Sequence, residues 1–531
     1  MSKPRILIVN CFSDNQRRAR GNAWFAPQSM VTGVLAGQLH RDKVEIRAVC
    51  EFRDGPFEDL AALAWADLLV LTGLNPAFDR MKQVAAYARA VRPGIAVAAG
   101  GPVVRMLPSL SRRYFDYVCT GDVEQIAGVA HDVFGTDLRA DLAVPRYDLM
   151  RWKGPVGYAE SSRNCNFRCS FCSMSAEDRP YTAYNPDDLR RQVHALGYKP
   201  CVMLLDQNFF GGSREHFYAR LAVLRELFEA GKMGGWAALV TADFFKNAHH
   251  LTLAKQAGCI GFFSGVESFS TAQIDAFRKK QNLVLPQAEM IESTLQAGLV
   301  FHYGLVIDLF ERRIADVDEE LYMILSNPGI TLPSFLSLAI PLLGTPMFRE
   351  RLAQGALLPN LKLRDMDGRS VMTRTLDDHD CAVAWAARMD HGCLSKFGLM
   401  RHGASFFRRY RKTLPPWGMV SALSGAVGLA WPRLGTNGRD GFSAQRGGRS
   451  YDGSAEPLGS LYQPCMNLPS TLQHYFEPVQ ITDSEGALAE AVRPDLTPVA
   501  SVGMPTPAPR FLPEPRVSSP LHSTTRMVVE L

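Results

Sequence analysis

The sequence predicts an α/β fold in three parts: a doubly wound parallel sheet, a partial or complete βα barrel, and a mixed, mainly helical region. Three observations carry this reading. Five short apolar, β-branched runs alternate with helix-compatible stretches over residues 1–145, six further strand-then-helix repeats fill residues 155–360, and apolar helical spacing takes over across 361–434. A chain of 531 residues exceeds the roughly 250–300 residues at which a single core stops growing, so several domains are expected.

In the first part the predicted strands are residues 5–10, 44–49, 67–73, 95–101 and 116–122. Several end in glycine or a polar residue, the pattern of buried parallel strands that lead into βα turns. Ligands of such sheets sit beyond the carboxyl ends of the strands. That places candidate binding residues at 10–15, at Thr72, Gly73, Leu74 and Asn75, at Gly100 and Gly101, and at 120–124 with Gly121. The glycines let a backbone approach a ligand closely, and they equally suit plain tight turns. No GxGxxG follows the first strand, so an ordinary nicotinamide-binding fingerprint is missing.

In the second part the predicted strands are residues 157–163, 201–207, 236–242, 259–267, 299–309 and 334–342. A βα barrel works at the carboxyl ends of its strands. In the third part, the apolar run 417–431 spans fifteen residues with three glycines, short of the roughly 20 that cross a bilayer. It reads first as a buried helix; with the basic aromatic stretch 406–412 before it, shallow membrane attachment or a lid over an apolar substrate are the other readings. Residues 435–531 are rich in Gly, Ser, Arg and Pro and read as an irregular tail, with 462–478 as a docking segment within it.

Charge narrows the function. A formal net charge of +5 is small for this length and argues against a nucleic-acid partner. The amino terminus enters a strand within five residues and shows no signal-peptide pattern, so a cytoplasmic location is expected. Eight of the eleven cysteines are scattered, and three are clustered as C-N-F-R-C-S-F-C: Cys165, Cys169 and Cys172, just past the first barrel strand. Such spacing puts three thiolates on one bent loop, suited to a soft metal centre. Three ligands can hold three irons of a cubane and leave the fourth open. Structural zinc usually takes four protein ligands, for which only His194 and Cys201 stand nearby in sequence.

This CxxxCxxC loop, with Phe171 before its last cysteine and alternating strands and helices behind it, resembles the signature of the radical S-adenosylmethionine superfamily. The resemblance implies a [4Fe–4S] cluster on Cys165, Cys169 and Cys172, whose open iron chelates S-adenosylmethionine and whose electron cleaves it to a 5'-deoxyadenosyl radical, supplied by an external electron donor such as flavodoxin or ferredoxin. It further implies that Glu267 and Ser268, in GVES, contact the cofactor, as do Asp206, Gln207 and Asn208 after the second barrel strand and Asp243 after the third; a helix cap is the alternative for any one of the three after the second strand. The run 303–308 resembles the strand that contacts ribose and adenine but lacks the commoner GxxxGxE form.

A Rossmann-like sheet ahead of such a barrel is similar to the cobalamin-binding subfamily, as are the segments 99–124 and 341–348; the likeness runs over residues 4–360. That subfamily includes methyltransferases acting on unactivated carbon, and some cyclases and ring-contracting enzymes. The axial-ligand sequence DxHxxG is absent: Asp14 stands without a following histidine, and the first histidine is His40. Cobalamin bound without a histidine on cobalt is the expectation, with loss of cobalamin binding as the alternative and His40 as a surface residue. The expected function is methyl transfer from S-adenosylmethionine through cobalamin to an unactivated carbon of a bulky or apolar metabolite. The rivals are a cyclase or rearrangement enzyme acting on a tetrapyrrole or apolar metabolite, and a non-catalytic iron–sulfur electron-transfer or binding protein.

Overall fold

The structure, a computed structural model, describes residues 2–11, 29–150, 154–391, 394–430 and 464–481. Asp14 and most of the tail 435–531 lie outside the described residues. All described residues fall in one compact unit, Met1–Pro494.

The amino-terminal sheet contains β1 (Arg5–Asn10), β2 (Glu45–Cys50), β3 (Leu68–Thr72), β4 (Ala96–Gly100) and β5 (Tyr117–Cys119). All pairs are parallel and the order is β2-β1-β3-β4-β5, so the winding direction reverses between β1 and β3. β3, LLVLT, is buried at every position, as a central strand covered on both faces must be. Helices pack on both faces; one of them, Phe78–Val91, is buried over its first eleven residues because a carboxyl-terminal segment covers it. That segment carries the 3₁₀ helix Ser470–Phe476. The Cys465 amide donates to Tyr87 Oη at 3.0 Å, the Val479 amide donates to Asp79 Oδ1 at 3.1 Å, and the Tyr87 and Phe476 rings meet edge to face at 5.7 Å.

The second sheet is built from β6 (Val156–Ala159), then, after the excursion β7 (Ser162–Arg163) and β8 (Thr182–Ala183), from β9 (Cys201–Leu204), β10 (Trp236–Val240), β11 (Cys259–Glu267), β12 (Val300–Ile307) and β13 (Phe335–Leu338). Its six strands are all parallel and stand in chain order, and β6 does not pair with β13, so the barrel is partial. The predicted strand 157–163 is corrected: after Ala159 the chain leaves the sheet, and Ser162–Arg163 pairs antiparallel with Thr182–Ala183 as a base for the cysteine loop. Predicted strands 116–122 and 201–207 are shorter than expected because their polar last residues lie in loops, and 334–342 ends at Leu338, ahead of Pro341, which has no amide hydrogen to give a ladder.

Helices His379–His391, Lys396–Tyr410 and Pro416–Ala430 follow. The last packs through Met419, Ala422 and Leu429, but Val420 is 72% exposed, so the expected buried helix is buried on one side only. Among the described residues no helix is long and apolar enough to cross a membrane.

Candidate functional site

The cysteine loop sits beyond the carboxyl end of β6 and is fastened on several sides. The Ser170 amide donates to Phe277 O at 3.0 Å, the Met347 amide donates to Ser170 O at 3.0 Å, and Ser175 Oγ donates to Cys169 O at 2.7 Å. The Phe171 and Phe277 rings pack with centroids 4.7 Å apart. Phe171, noted in the sequence as part of the motif, therefore clamps the loop to the segment after β11. Cys169 is buried, and Cys165 and Cys172 are partly so. Burial pushes all three thiols up, Cys172 to about 11, so without a metal each holds its proton at neutral pH.

Two residues that sequence reasoning missed stand beside these sulfurs. Gln281 Nε2 donates to Cys169 Sγ at 3.3 Å. Lys279 is buried; burial opposes its charge, but Glu267 and the neighbouring Cys169 and Cys172 outweigh that and raise its pKa. Its ammonium donates to Gly265 O at 2.8 Å and pairs with Glu267. A Cβ on Gly265 would lie 2.3 Å from Glu267 Oε1 and 2.5 Å from Lys279 Nζ, so a side chain there would displace the ends of this ion pair. The only sequence signal was the basic, amide-rich run 278–282 soon after GVES.

The other predicted cofactor contacts are placed unequally. Asp206 is fully buried and committed to its own network, accepting from the Ser161 amide and hydroxyl at 3.1 and 2.7 Å and from Ser162, with Arg220 3.4 Å away. Gln207 is exposed. Asn208 donates to Asn166 of the cysteine loop at 2.8 Å, and its Oδ1 is buried without a partner among the described residues, a vacancy that an ammonium or amide donor would satisfy. Asp243 accepts from Thr241 and is a charged neighbour of Cys165. Ser268 is buried, donating to Glu320 at 2.8 Å and accepting from Arg312 at 3.2 Å.

Across from this loop, the carboxyl ends of the amino-terminal strands line a cavity of about 540 Å³. Thr72, Gly73, Leu74, Gly100, Gly101 and Gly121 line it, while Asn75 turns away and places its amide 3.9 Å from Met366 Sδ. Tyr158 and Leu205, at the ends of β6 and β9, also line it, so the cavity faces the partial barrel. No histidine is among the lining residues, and His40 lies before β2, at the opposite end of the strands. Arg105 lines the cavity too; it pairs with Glu177 at the end of the helix Ser173–Glu177 that follows Cys172 and donates to Gly121 O at 2.8 Å. Cavity and cysteine loop are thus joined through Arg105, and again where Asp122, another lining residue, pairs with Arg179.

Among the described residues no three His, Cys, Asp or Glu side chains converge on a point as ligands of a single ion do. Cubane thiolates bind three different irons and need not converge, so three neighbouring thiols on one loop, one of them already accepting an amide, suit a cluster better than a lone ion. The two further zinc ligands that the sequence offered do not complete a site: His194 is exposed on the helix Pro186–Leu196, and Cys201 begins β9, at the end of the sheet away from the loop.

Two predictions follow from this geometry. Gly101 has φ 113°, and a Cβ there would meet Gly73 O at 2.6 Å, whereas a Cβ on Gly100 meets only Cys119 Cβ at 3.5 Å. Gly101→Ala is expected to destabilise the fold by about 1–3 kcal/mol and Gly100→Ala by less than about 1 kcal/mol, read from unfolding midpoints. At the carboxyl end of β6, burial pushes the Glu160 carboxyl up to about 7 against the pull of Arg163. Its folded pKa then exceeds its unfolded value of about 4.3, so its contribution to stability is largest below that value and is lost as pH rises towards 7. A Glu160→Gln variant should show a flatter decline of thermal midpoint over that window than the parent.

No family model matches the chain. It is 25% identical over 421 residues to the hopanoid C-2 methylase of Rhodopseudomonas palustris (strain TIE-1), covering 74% of this chain and 76% of that one. It is 22% identical over 340 residues to the hopanoid C-3 methylase of Methylococcus capsulatus, covering 58% and 62%. Among solved structures it superposes on OxsB, a cobalamin-dependent S-adenosylmethionine radical enzyme, with a TM-score of 0.53 at 16% identity over 80% of this chain and 70% of that one. It superposes on TsrM, a radical S-adenosylmethionine methyltransferase from Kitasatospora setae, with a TM-score of 0.51 at 14% identity over 68% and 78%. The chain is therefore related in sequence to the hopanoid methylases and shares its fold with radical S-adenosylmethionine enzymes of the OxsB and TsrM kind.

Proposed function

We propose that the chain is a cobalamin-dependent radical S-adenosylmethionine methyltransferase that methylates an unactivated carbon of a bulky apolar metabolite. The observation that carries this is the confrontation of two sets of strand ends: the cysteine loop on one side and the 540 Å³ cavity on the other, linked through Arg105 and Glu177. When bound, a [4Fe–4S] cluster supplies the electron that cleaves S-adenosylmethionine, and cobalamin supplies the methyl group. Cys165, Cys169 and Cys172 provide the thiolates, and the Gln281 amide steadies Cys169 and withdraws charge from its sulfur. Lys279 places a buried positive charge beside the loop and holds the end of β11 through Glu267 and Gly265. Asn208, with its unpartnered buried oxygen, would accept from an ammonium group of bound S-adenosylmethionine, and Asp243, a charged neighbour of Cys165, would add a further polar contact. Thr72, Gly73 and Leu74, with Gly100, Gly101 and Gly121, cradle the corrin. The apolar substrate is inferred from the similarity to the C-2 and C-3 methylases of hopanoids.

The test is anaerobic reconstitution with iron, sulfide and hydroxocobalamin, an external electron donor such as reduced flavodoxin, and a panel of polycyclic lipids. A product heavier by one methylene, formed together with 5'-deoxyadenosine, supports the reading; 5'-deoxyadenosine with an isomerised or cyclised product moves the enzyme to rearrangement chemistry. Cys165→Ala, Cys169→Ala and Cys172→Ala together are expected to abolish bound iron and the visible absorption while leaving the circular dichroism unchanged. Retention of the full iron content by that triple variant is the result that sinks the cluster assignment.

Among the described residues no histidine lines the cavity, so cob(II)alamin bound with its own benzimidazole tail displaced from cobalt is expected to show an electron paramagnetic resonance spectrum without nitrogen superhyperfine splitting. A nitrogen triplet, or failure of the reconstituted chain to take up cobalamin at all, overturns that part of the assignment.

A further inference from the structure

We propose that the helical hairpin formed by Lys396–Tyr410 and Pro416–Ala430 docks the protein onto the surface of an anionic lipid bilayer. The first helix buries Gly398, Leu399, His402, Phe406 and Tyr410 against the molecule. Its outer face carries Phe397, 77% exposed, Met400, 73% exposed, and Phe407, 48% exposed. These recur at helical spacing and form one stripe, with Ala404 between them. The second helix adds Trp417, 47% exposed, and Val420. Five large exposed apolar side chains gathered on two consecutive helices, against scattered ones such as Leu142 and Tyr198 elsewhere, mark an interaction surface.

Charge selects the occupant. Residues 394–430 contain six basic side chains and no Asp or Glu. Arg401 and Arg408 follow Met400 and Phe407 along the helix, and Arg411 and Lys412 continue the row; among the described residues none of these four has an ion-pair partner. Arg409 is engaged, 3.5 Å from Glu292. An aromatic and apolar stripe beside an unopposed basic row is the arrangement of a helix lying in the plane of a membrane, its apolar face in the acyl boundary and its cations at anionic headgroups. A protein partner of ordinary composition would leave most of this charge unmatched. Neither helix is long and apolar enough to cross the bilayer, so the attachment is to one leaflet. This inference is independent of the redox reading, since none of these residues touches the cysteine loop or the cavity.

Sedimentation of the full chain with vesicles tests it. The protein is expected to pellet with mixed phosphatidylcholine and phosphatidylglycerol vesicles, weakly with phosphatidylcholine alone, and less as salt is raised. Replacing Arg401, Arg408 and Arg411 by glutamine should lower the partition coefficient on anionic vesicles roughly 100-fold, at roughly fivefold for each charge. Phe397→Ser, Met400→Ser and Phe407→Ser together should remove the residual binding to neutral vesicles. Both variants should keep the parent's thermal midpoint and iron content, because every changed side chain is exposed. No binding by the parent, or equal binding by parent and both variants, overturns the proposal. So does a concentration-dependent dimer that the serine variant abolishes without any vesicle binding, which would make a second copy of the chain the occupant.

Discussion

The arrangement depends on a short seam of ion pairs between two parallel sheets whose carboxyl ends look at each other. Arg105, from the turn after β4, meets Glu177; Arg179 meets Asp122 at 2.6 Å; and Arg163, in β7, meets Glu124 at 2.7 Å. Each pair takes one partner from the amino-terminal sheet and one from the loop region around the cysteines. Partly exposed pairs of this kind contribute about 1 kcal/mol or less apiece, so they do not hold the molecule together by strength. Their effect is orientation. Arg105 also donates to Thr120 O at 2.9 Å and Gly121 O at 2.8 Å, and Arg179 donates to Thr120 O at 2.8 Å, so two guanidinium forks grip one turn after β5 and fix the angle at which the cysteine loop faces the cavity. The adhesion comes instead from apolar contact: Leu343 and Phe348, after β13, are buried in the same core as Phe78, Val103 and Leu107 of the amino-terminal sheet.

A loop ordered before any ligand arrives binds that ligand without a large ordering cost. Here the ordering is done in advance by backbone hydrogen bonds from Phe277 and Met347 and by Gln281 against Cys169. These anchors come from after β11 and after β13, elements more than 100 residues along the chain. The segment 341–348 therefore acts twice, as a fastening for Ser170 and as the apolar bridge to the amino-terminal sheet; a Cβ on Gly344, which has φ 75°, would crowd both Met106 Sδ at 2.8 Å and Ala176 Cβ at 3.2 Å.

The strands were legible in the sequence because burial on both faces forces continuous apolar runs, and a run such as LLVLT or CIGFFSGVE has few other fates. Chain order within the partial barrel follows from the handedness and local adjacency of βα units. The chemistry of individual polar residues was much less legible. Asp206 stands after a strand as a ligand-binding carboxylate would, yet Arg220, fourteen residues later and one helix away, draws it into a buried network. Lys279 and Gln281 carry no motif; their importance lies in partners twelve and 112 residues distant, a relation that spacing cannot express. The glycines read as room for a ligand have a nearer reason at Gly101 and Gly121, where a Cβ would strike Gly73 O at 2.6 Å and the Gln125 side chain at 2.5 Å. Turn packing and access to the cavity are met by the same residue, which is why the two readings could not be separated from sequence.

Backbone strain gathers around the cysteine loop. Among the described residues five other than glycine have positive φ, and four of them, Asn164, Asp178, Glu267 and Arg278, frame the cysteine loop or the segment that supports it. Asn164 immediately precedes Cys165, and Asp178 immediately follows the helix Ser173–Glu177; Asn and Asp adopt this region readily because a short polar side chain can bond locally. Glu267 and Arg278 have no such excuse, and each costs on the order of 1 kcal/mol or more. Both are held by what surrounds them: Glu267 by its pair with Lys279 at a register shift in β11, and Arg278 by its amide donating to Asp275 O at 2.8 Å and its side chain meeting Glu350. The strained conformation at Glu267 lets the chain turn sharply enough for Lys279 to return beneath Gly265 and for Gln281 to reach Cys169. The strained residue and the amide that reaches Cys169 thus belong to one hydrogen-bonded segment, in which Lys279 ties Glu267 to Gly265 O and Gln281 follows two residues later.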